Sequence, residues 1–295
     1  MSERMLSRLR MAFAGRKPEA PAQANFPEAE TPKAETPQQD RVELSGNLSR
    51  DLGLRDAALS GWYNRDKGEL FTGFPVGPED IVADIGCGDG GNAGFCARLG
   101  ARLILADVDA ATLDQARANV VAKGGLVETH LVSDGVPLPI ADGAATRVVS
   151  TEVLEHVGDP ASFLGELVRI GRPGALYLLA CPDPASEAIQ QRVAPESYFQ
   201  RPNHIRVLAR DEFAAMVTQA GLEIVRRDNY GFFWSVWLAF FWDCKVDLKT
   251  PDHPLLTNWA RTWEAMLDMP NGEKLKRALD SVLPKSQVIV ARKPF

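Results

Sequence analysis

The stretch VADIGCGDGGNAGF, Val82 to Phe95, constrains the fold more than any other part of this 295-residue chain. An apolar run of strand character ends in a cluster of glycines, and a helix-like segment follows. Glycine at such a junction lets the backbone turn tightly and approach a ligand closely, as at the strand ends of α/β folds. Gly86, Gly88 and Gly91 match G-x-G-x-x-G, a dinucleotide pattern. Gly86, Gly88 and Gly90 equally match D-x-G-x-G-x-G from Asp84. Either match alone is a weak signal.

The chain from about Arg41 alternates strand-like and helix-like segments. Strands are expected at Ile81 to Gly86, Arg102 to Val108, Leu126 to Ser133, Thr146 to Thr151, and from Gly174. Asp159 can cap a helix that starts at Pro160 and buries Phe163, Leu164, Leu167 and Val168, with Gly171 and Pro173 as its stop. A helix at ARDEFAAMVTQAG, a strand at LEIVRRD, an aromatic insertion and a last strand SQVIVAR complete the pattern. The expected architecture is α/β: a doubly wound, mainly parallel seven-stranded sheet with a helical aromatic insertion before the last strand. Such sheets place their ligand outside the carboxyl ends of the strands, at the loops after Ile85, Ala106, Val132, Ser150 and Ala180.

A net charge of −6 argues against a broad basic face for nucleic acid. The four cysteines lie far apart with no C-x-x-C pair and read as buried thiols of a reducing, cytoplasmic compartment. The longest apolar run, GFFWSVWLAFFW, is too short to span a bilayer. Residues 1–17 form a basic amphipathic segment, read either as a surface helix drawn to anionic lipid at the inner face of a membrane or as a frayed terminus. Residues 18–40 are a Pro/Ala/Glu-rich linker. A single domain is expected over 41–295, with its insertion at 231–284.

Charge bears on the glycine question. No Lys or Arg lies between Asp80 and Ala97, and Asp84 and Asp89 sit in or beside the loop. A pyrophosphate there would meet like charge, at a cost of about 1 to 4 kcal/mol per pair. A ligand with an ammonium and a sulfonium would be attracted, and S-adenosylmethionine (SAM) carries both.

The segment Val82 to Pro182 resembles the core of class I SAM-dependent methyltransferases, in the branch that acts mostly on small molecules and includes quinone-pathway enzymes. VADIGCGDGG resembles the family's glycine loop, LADVDAATLDQAR its second-strand acid, and SDGVPLPI its adenine-side segment. EVLEHVGDP and IGRPGALYLLACP resemble the exit of strand four and the entry to strand five. The resemblance implies a SAM site of Asp84, Gly86, Cys87, Gly88, Gly90, Asp107, Val108, Asp134, Gly135 and Thr151. Asp107 would meet the ribose hydroxyls and Asp134 the adenine amino group, with S-adenosylhomocysteine as the product. The chain departs from the family at Ala145–Thr146, where Phe-Asp is frequent, and at Ala175 after Gly174. No N/D-P-P-Y follows strand four, which speaks against an amino-group methylase for nucleic-acid bases.

Methyl transfer needs alignment of two substrates, exclusion of water and, for a hydroxyl acceptor, a base. His156, close after strand four, and His204, in the segment after strand five, are the base or substrate-contact candidates, with Glu152 beside the acceptor. Glu152, Glu155 and His156 form E-x-x-E-H, whose members share a face if they lie on a helical turn. With His204 the pattern resembles the divalent-metal site of small-RNA 3′-end methyltransferases and some quinone-pathway O-methyltransferases. The bland alternative is a solvated Glu155 and no metal. Trp62 and Tyr63 read as a lid or as core. The insertion, with Phe232, Phe233, Trp234, Trp237, Phe240, Phe241 and Trp242, reads as two helices packed on the sheet, a homodimer surface, a greasy pocket or a membrane anchor. The expected function is SAM-dependent methylation, most readily of a hydroxyl on a small-molecule or lipid-linked acceptor. The alternatives are SAM binding without catalysis and a nicotinamide oxidoreductase.

Overall fold

The computed structural model describes residues 47–133, 135–247 and 251–295; segments 1–17 and 18–40 and Asp134 lie outside the described residues. Helix α1 (Leu48–Leu59) leads into a small antiparallel meander of β1 (Trp62–Asn64), β2 (Glu69–Phe71) and β3 (Phe74–Pro75). The main sheet contains β4 (Ile81–Ile85), β5 (Arg102–Asp107), β6 (Leu126–Val132), β7 (Ala145–Thr151), β8 (Gly171–Pro182), β9 (Glu223–Tyr230) and β10 (Ser286–Arg292). Their order is β6-β5-β4-β7-β8-β10-β9. All pairs are parallel except those of β10, which runs antiparallel to both β8 and β9.

The strand order reverses between β4 and β7, the place where a doubly wound sheet opens a crevice at its carboxyl edge. That reversal puts the glycine loop after β4 beside the turn after β7. The sheet is covered by α2 (Gly91–Arg98) and α3 (Ala110–Ala122) on one face, with α4 (Pro160–Ile170) and a later helix, Arg210–Gln219, on the other. Strands buried on both faces read as nearly continuous apolar runs, and Leu178, Leu179 and Ala180 in β8 are all enclosed.

Local chemistry explains the boundaries. Asp159 accepts hydrogen bonds from the Ala161 and Ser162 amides and so caps α4, with Pro160 at its first position. β8 begins at Gly171, three residues earlier than the strand predicted from Gly174. At Gly171 a Cβ would stand 1.9 Å from the Tyr177 hydroxyl, so only glycine lets the chain pass straight from helix to strand.

After α5 (Pro184–Val193), α6 (Arg210–Gln219) and β9, the insertion comprises α7 (Phe232–Cys244), α8 (Pro254–Leu267) and α9 (Gly272–Val282), three helices where two were expected. Their aromatic rings do not pack on the sheet. Phe233, Trp237, Phe241, Trp263 and Leu52 of α1 form a core of their own. Gly53 permits this, since a Cβ there would lie 2.2 Å from the Trp234 ring. Lys276 is fully enclosed between Asp280 at 2.5 Å and Asp56 at 3.5 Å. Asp280 in turn accepts from the Gly231 and Phe232 amides at the start of α7. This buried charge cluster ties α1, α7 and α9 into one cap. Trp62 lies in β1 between Phe71 and Tyr230 and is core.

Candidate active site

One side of the expected crevice is shaped by the loop after β4. Gly86 has φ +75°, and a Cβ there would meet Val153 at 2.3 Å. Gly90, also left-handed, starts α2 and brings it against Ala116 of α3. Gly88 has no atom within 4 Å of its Cβ position, so the loop is open on that side. The Asp107 carboxylate, at the end of β5, accepts the Gly88 amide at 3.0 Å and the Asp109 amide at 3.1 Å. It therefore holds the loop against β5.

Beneath the loop Asp84 is 2% exposed, and one of its oxygens has no hydrogen-bond partner. Burial pushes its pKa up to about 7; the Ala93 amide counteracts, and the charges of Asp107 and Asp89 raise it further. An enclosed carboxyl with one unpartnered oxygen beneath an open glycine turn fits a cationic ligand. Cys87 is buried, and burial raises its thiol, which makes it lining and no nucleophile. Thr151, at the end of β7, accepts from Asn92, which accepts from Tyr63 at 2.9 Å. Val108 is exposed beyond β5, and Gly135 lies over Phe163. These residues lie at the carboxyl ends of β4, β5, β6 and β7 or in the loops that follow them.

The other side is assembled from distant segments. Residues 152–156 form a turn and no helix, with the His156 amide bonded to the Val153 carbonyl at 2.9 Å. Glu152 adopts φ +58°, a conformation of order 1–3 kcal/mol for a non-glycine residue. That backbone turns its carboxylate toward Lys285 and toward Ser286 Oγ at 2.8 Å, away from His156. The shared helical face expected of Glu152, Glu155 and His156 is thus absent.

Glu155, His156 and His204 do converge, with one ligand atom of each within 4.8 Å of the others. Glu155 is 2% exposed, and neither of its oxygens has a hydrogen-bond partner. Burial, then the charge of Glu152, holds its carboxyl well above the usual range. His156 Nδ1 lies 3.0 Å from the Pro202 carbonyl, which can only accept, so Nδ1 carries the proton and Nε2 is free to act. His204 Nδ1 lies 3.1 Å from Glu187 Oε2, and Tyr198 donates to Glu187 Oε1 at 3.3 Å. The rings of His156 and His204 meet edge to face at 5.0 Å, and Tyr198 joins His204 to Trp242 of α7.

Sequence reasoning missed Asn92, Glu187, Tyr198, Lys285 and Ser286. Asn92 adjoins the glycine motif and could have been found by helix position. Nothing local marks the others.

A family model described as a methyltransferase domain matches residues 83–179. A protein from Mycolicibacterium smegmatis named as a probable S-adenosylmethionine-dependent methyltransferase is 32% identical over 162 residues, covering 54% of this chain and 57% of that one. The chain thus spans little more than half the length of that relative. A ubiquinone biosynthesis O-methyltransferase of Ruegeria pomeroyi is 30% identical over 182 residues, covering 59% of this chain and 71% of its own length. Among solved structures, a geranyl diphosphate methyltransferase in complex with SAM is similar in fold, with TM-score 0.52 at 16% identity over 83% of this chain and 90% of that one.

Proposed function

The chain belongs to the SAM-dependent methyltransferases, and on that premise we propose that it moves the methyl group of SAM to a hydroxyl oxygen of a small-molecule or lipid-linked acceptor. SAM supplies a methyl group bound to a sulfonium, which makes it an electrophile. The chain's own tasks are to hold the two substrates in line, keep water out and receive the hydroxyl proton. Asp84, Gly86, Cys87, Gly88, Gly90, Asp107, Val108, Gly135 and Thr151 hold the donor, together with Asp134.

The observation that carries oxygen as the acceptor atom is the pair of imidazoles, each with Nδ1 engaged by a partner and Nε2 left to take a proton. His156 and His204 are the base candidates, and Glu152 shapes the acceptor pocket from the other side. The name of the Ruegeria pomeroyi relative, an O-methyltransferase, agrees with this choice. SAM binding without catalysis would leave the imidazole pair without a task. A nicotinamide oxidoreductase would place a pyrophosphate over Asp84 and Asp89, with no cation in the loop.

A second reading rests on Glu155. Its two orphaned oxygens beside His156 and His204 suit a divalent cation, which would lower the pKa of an acceptor hydroxyl. Glu152, bound to Lys285, is not part of that set.

A cytoplasmic location with peripheral membrane contact through segment 1–17, and a homodimer through the aromatic insertion, complete the proposal. Among the described residues no helix is long and apolar enough to cross a membrane.

Calorimetric titration with SAM, with NAD and with manganese tests these readings. Micromolar SAM binding that weakens in Asp107→Ala supports the first, and binding of NAD alone overturns it. Manganese binding that is lost in Glu155→Gln supports the second.

A further inference from the structure

Glu187 is the least expected member of the acceptor side. It lies on α5, is 2% exposed, and receives a hydrogen bond on each oxygen, from Tyr198 and from His204. The carboxylate is therefore closed off from solvent. Without a partner, a neutral imidazole favours the proton on Nε2. With the proton there, His204 would offer a donor where the proposed chemistry needs a lone pair.

The other imidazole is governed differently. His156 Nδ1 is held by the Pro202 carbonyl, a main-chain group that no side-chain substitution at Glu187 removes. Two independent partners, a main-chain carbonyl and a carboxylate, thus stand at Nδ1 of the two histidines. Glu155, enclosed and without a hydrogen-bond partner, stands with Oε1 3.7 Å from His156 Nε2.

We infer that Glu187 is a positioning residue that keeps the His204 proton on Nδ1 and so leaves an Nε2 lone pair on the ring that meets His156 and Glu155, with Tyr198 steadying the carboxylate from its other oxygen. The inference rests on the reading of this cluster as the acceptor side of the site. A ligating or proton-accepting histidine is commonly oriented by a carboxylate on its other nitrogen, and loss of such a partner typically costs 10- to 100-fold in metal affinity or activity.

Long-range ¹H–¹⁵N spectra of the full chain labelled in histidine, recorded above the usual histidine pKa, read the tautomer directly. Wild type is expected to show His204 as Nδ1–H. Glu187→Ala is expected to shift it to Nε2–H while His156 is unchanged. Glu187→Leu fills the same space without an acceptor and should give the same shift, separating the hydrogen bond from packing. An Nε2–H ring in wild type, or an Nδ1–H ring retained in either folded variant, overturns the inference. As a second readout, manganese alone should bind the variants 10- to 100-fold more weakly than wild type, and equal affinity counts against the inference. SAM affinity should be the same in all three proteins. A wild type that binds no SAM would overturn the functional reading and leave the tautomer result standing.

Discussion

On the proposed donor side, Asp84 to Asn92 supply the glycine turn, the buried acid and the start of α2 from one short run, completed by Asp107 from the neighbouring strand. Across the crevice, Glu152 meets a lysine 133 positions away, and His204 meets a glutamate on α5 and, through Tyr198, a tryptophan on α7. The donor side is therefore defined by backbone shape. The acceptor side is defined by where the helical cap sits. The difference implies that the two sides can be damaged separately, and each expected effect below can break that separation or sharpen it.

The largest effect is expected from Lys276→Met in the cap. It leaves Asp56 and Asp280 buried without their cation, and breaking a buried pair from one side costs about 3–5 kcal/mol. Thermal unfolding should fall by roughly 10 °C, with SAM affinity of the folded protein unchanged. An equal loss of SAM affinity would show that the cap also shapes the donor side.

Gly86→Ala attacks the donor side instead. A left-handed alanine and a clash with Val153 should together cost about 2–4 kcal/mol. Calorimetry and thermal melts should show both SAM affinity and stability reduced. Asp107→Ala should follow, with SAM affinity lowered by about 10- to 100-fold through loss of charged hydrogen bonds.

Asp84 predicts a pH dependence. Its pKa in the folded protein is about 7, above the carboxylate range of an unfolded chain, so the folded state binds the extra proton between roughly pH 4 and 7. Stability from this group is fully present below that window and is lost as pH rises through it. A cationic ligand above the carboxyl favours the ionised form, so SAM affinity should rise as pH rises through about 7. Asp84→Asn should flatten both trends in melts and titrations. Asp56, raised to about 6 chiefly by burial and against the pull of Lys276, adds a fall of the same sign in stability but none in SAM affinity.

The smallest effect is expected at Glu152→Gln. Its pairing with Lys285 is partly exposed and should contribute less than about 1 kcal/mol to stability, checked by denaturant unfolding. A loss several times larger would mean that the left-handed turn at Glu152 depends on that pairing.

What was legible in the sequence follows the same division. The seven-stranded sheet, the glycine turn, the Asp159 cap and the acid ending β5 were all readable, because each depends on periodicity, φ sign or hydrogen bonds within a few residues. The third helix of the insertion was not, since α9 owes its place to Lys276 meeting Asp56 and Ser60 more than 200 positions earlier. The E-x-x-E-H spacing was readable but its geometry was not. A helix would have put Glu152 beside His156, whereas the left-handed backbone sends it to Lys285.

The sequence by itself thus determined the sheet, the shape of the donor loop and the two histidines. Only the tertiary structure decided which carboxylate stands by which histidine. Glu187 approaches His204, and Ile205 bonds to the Glu155 carbonyl beside His156, because α5 and the 194–208 strap fold back over the turn after β7. Such pairings depend on packing between elements far apart in the chain, and spacing along the chain carries no record of them.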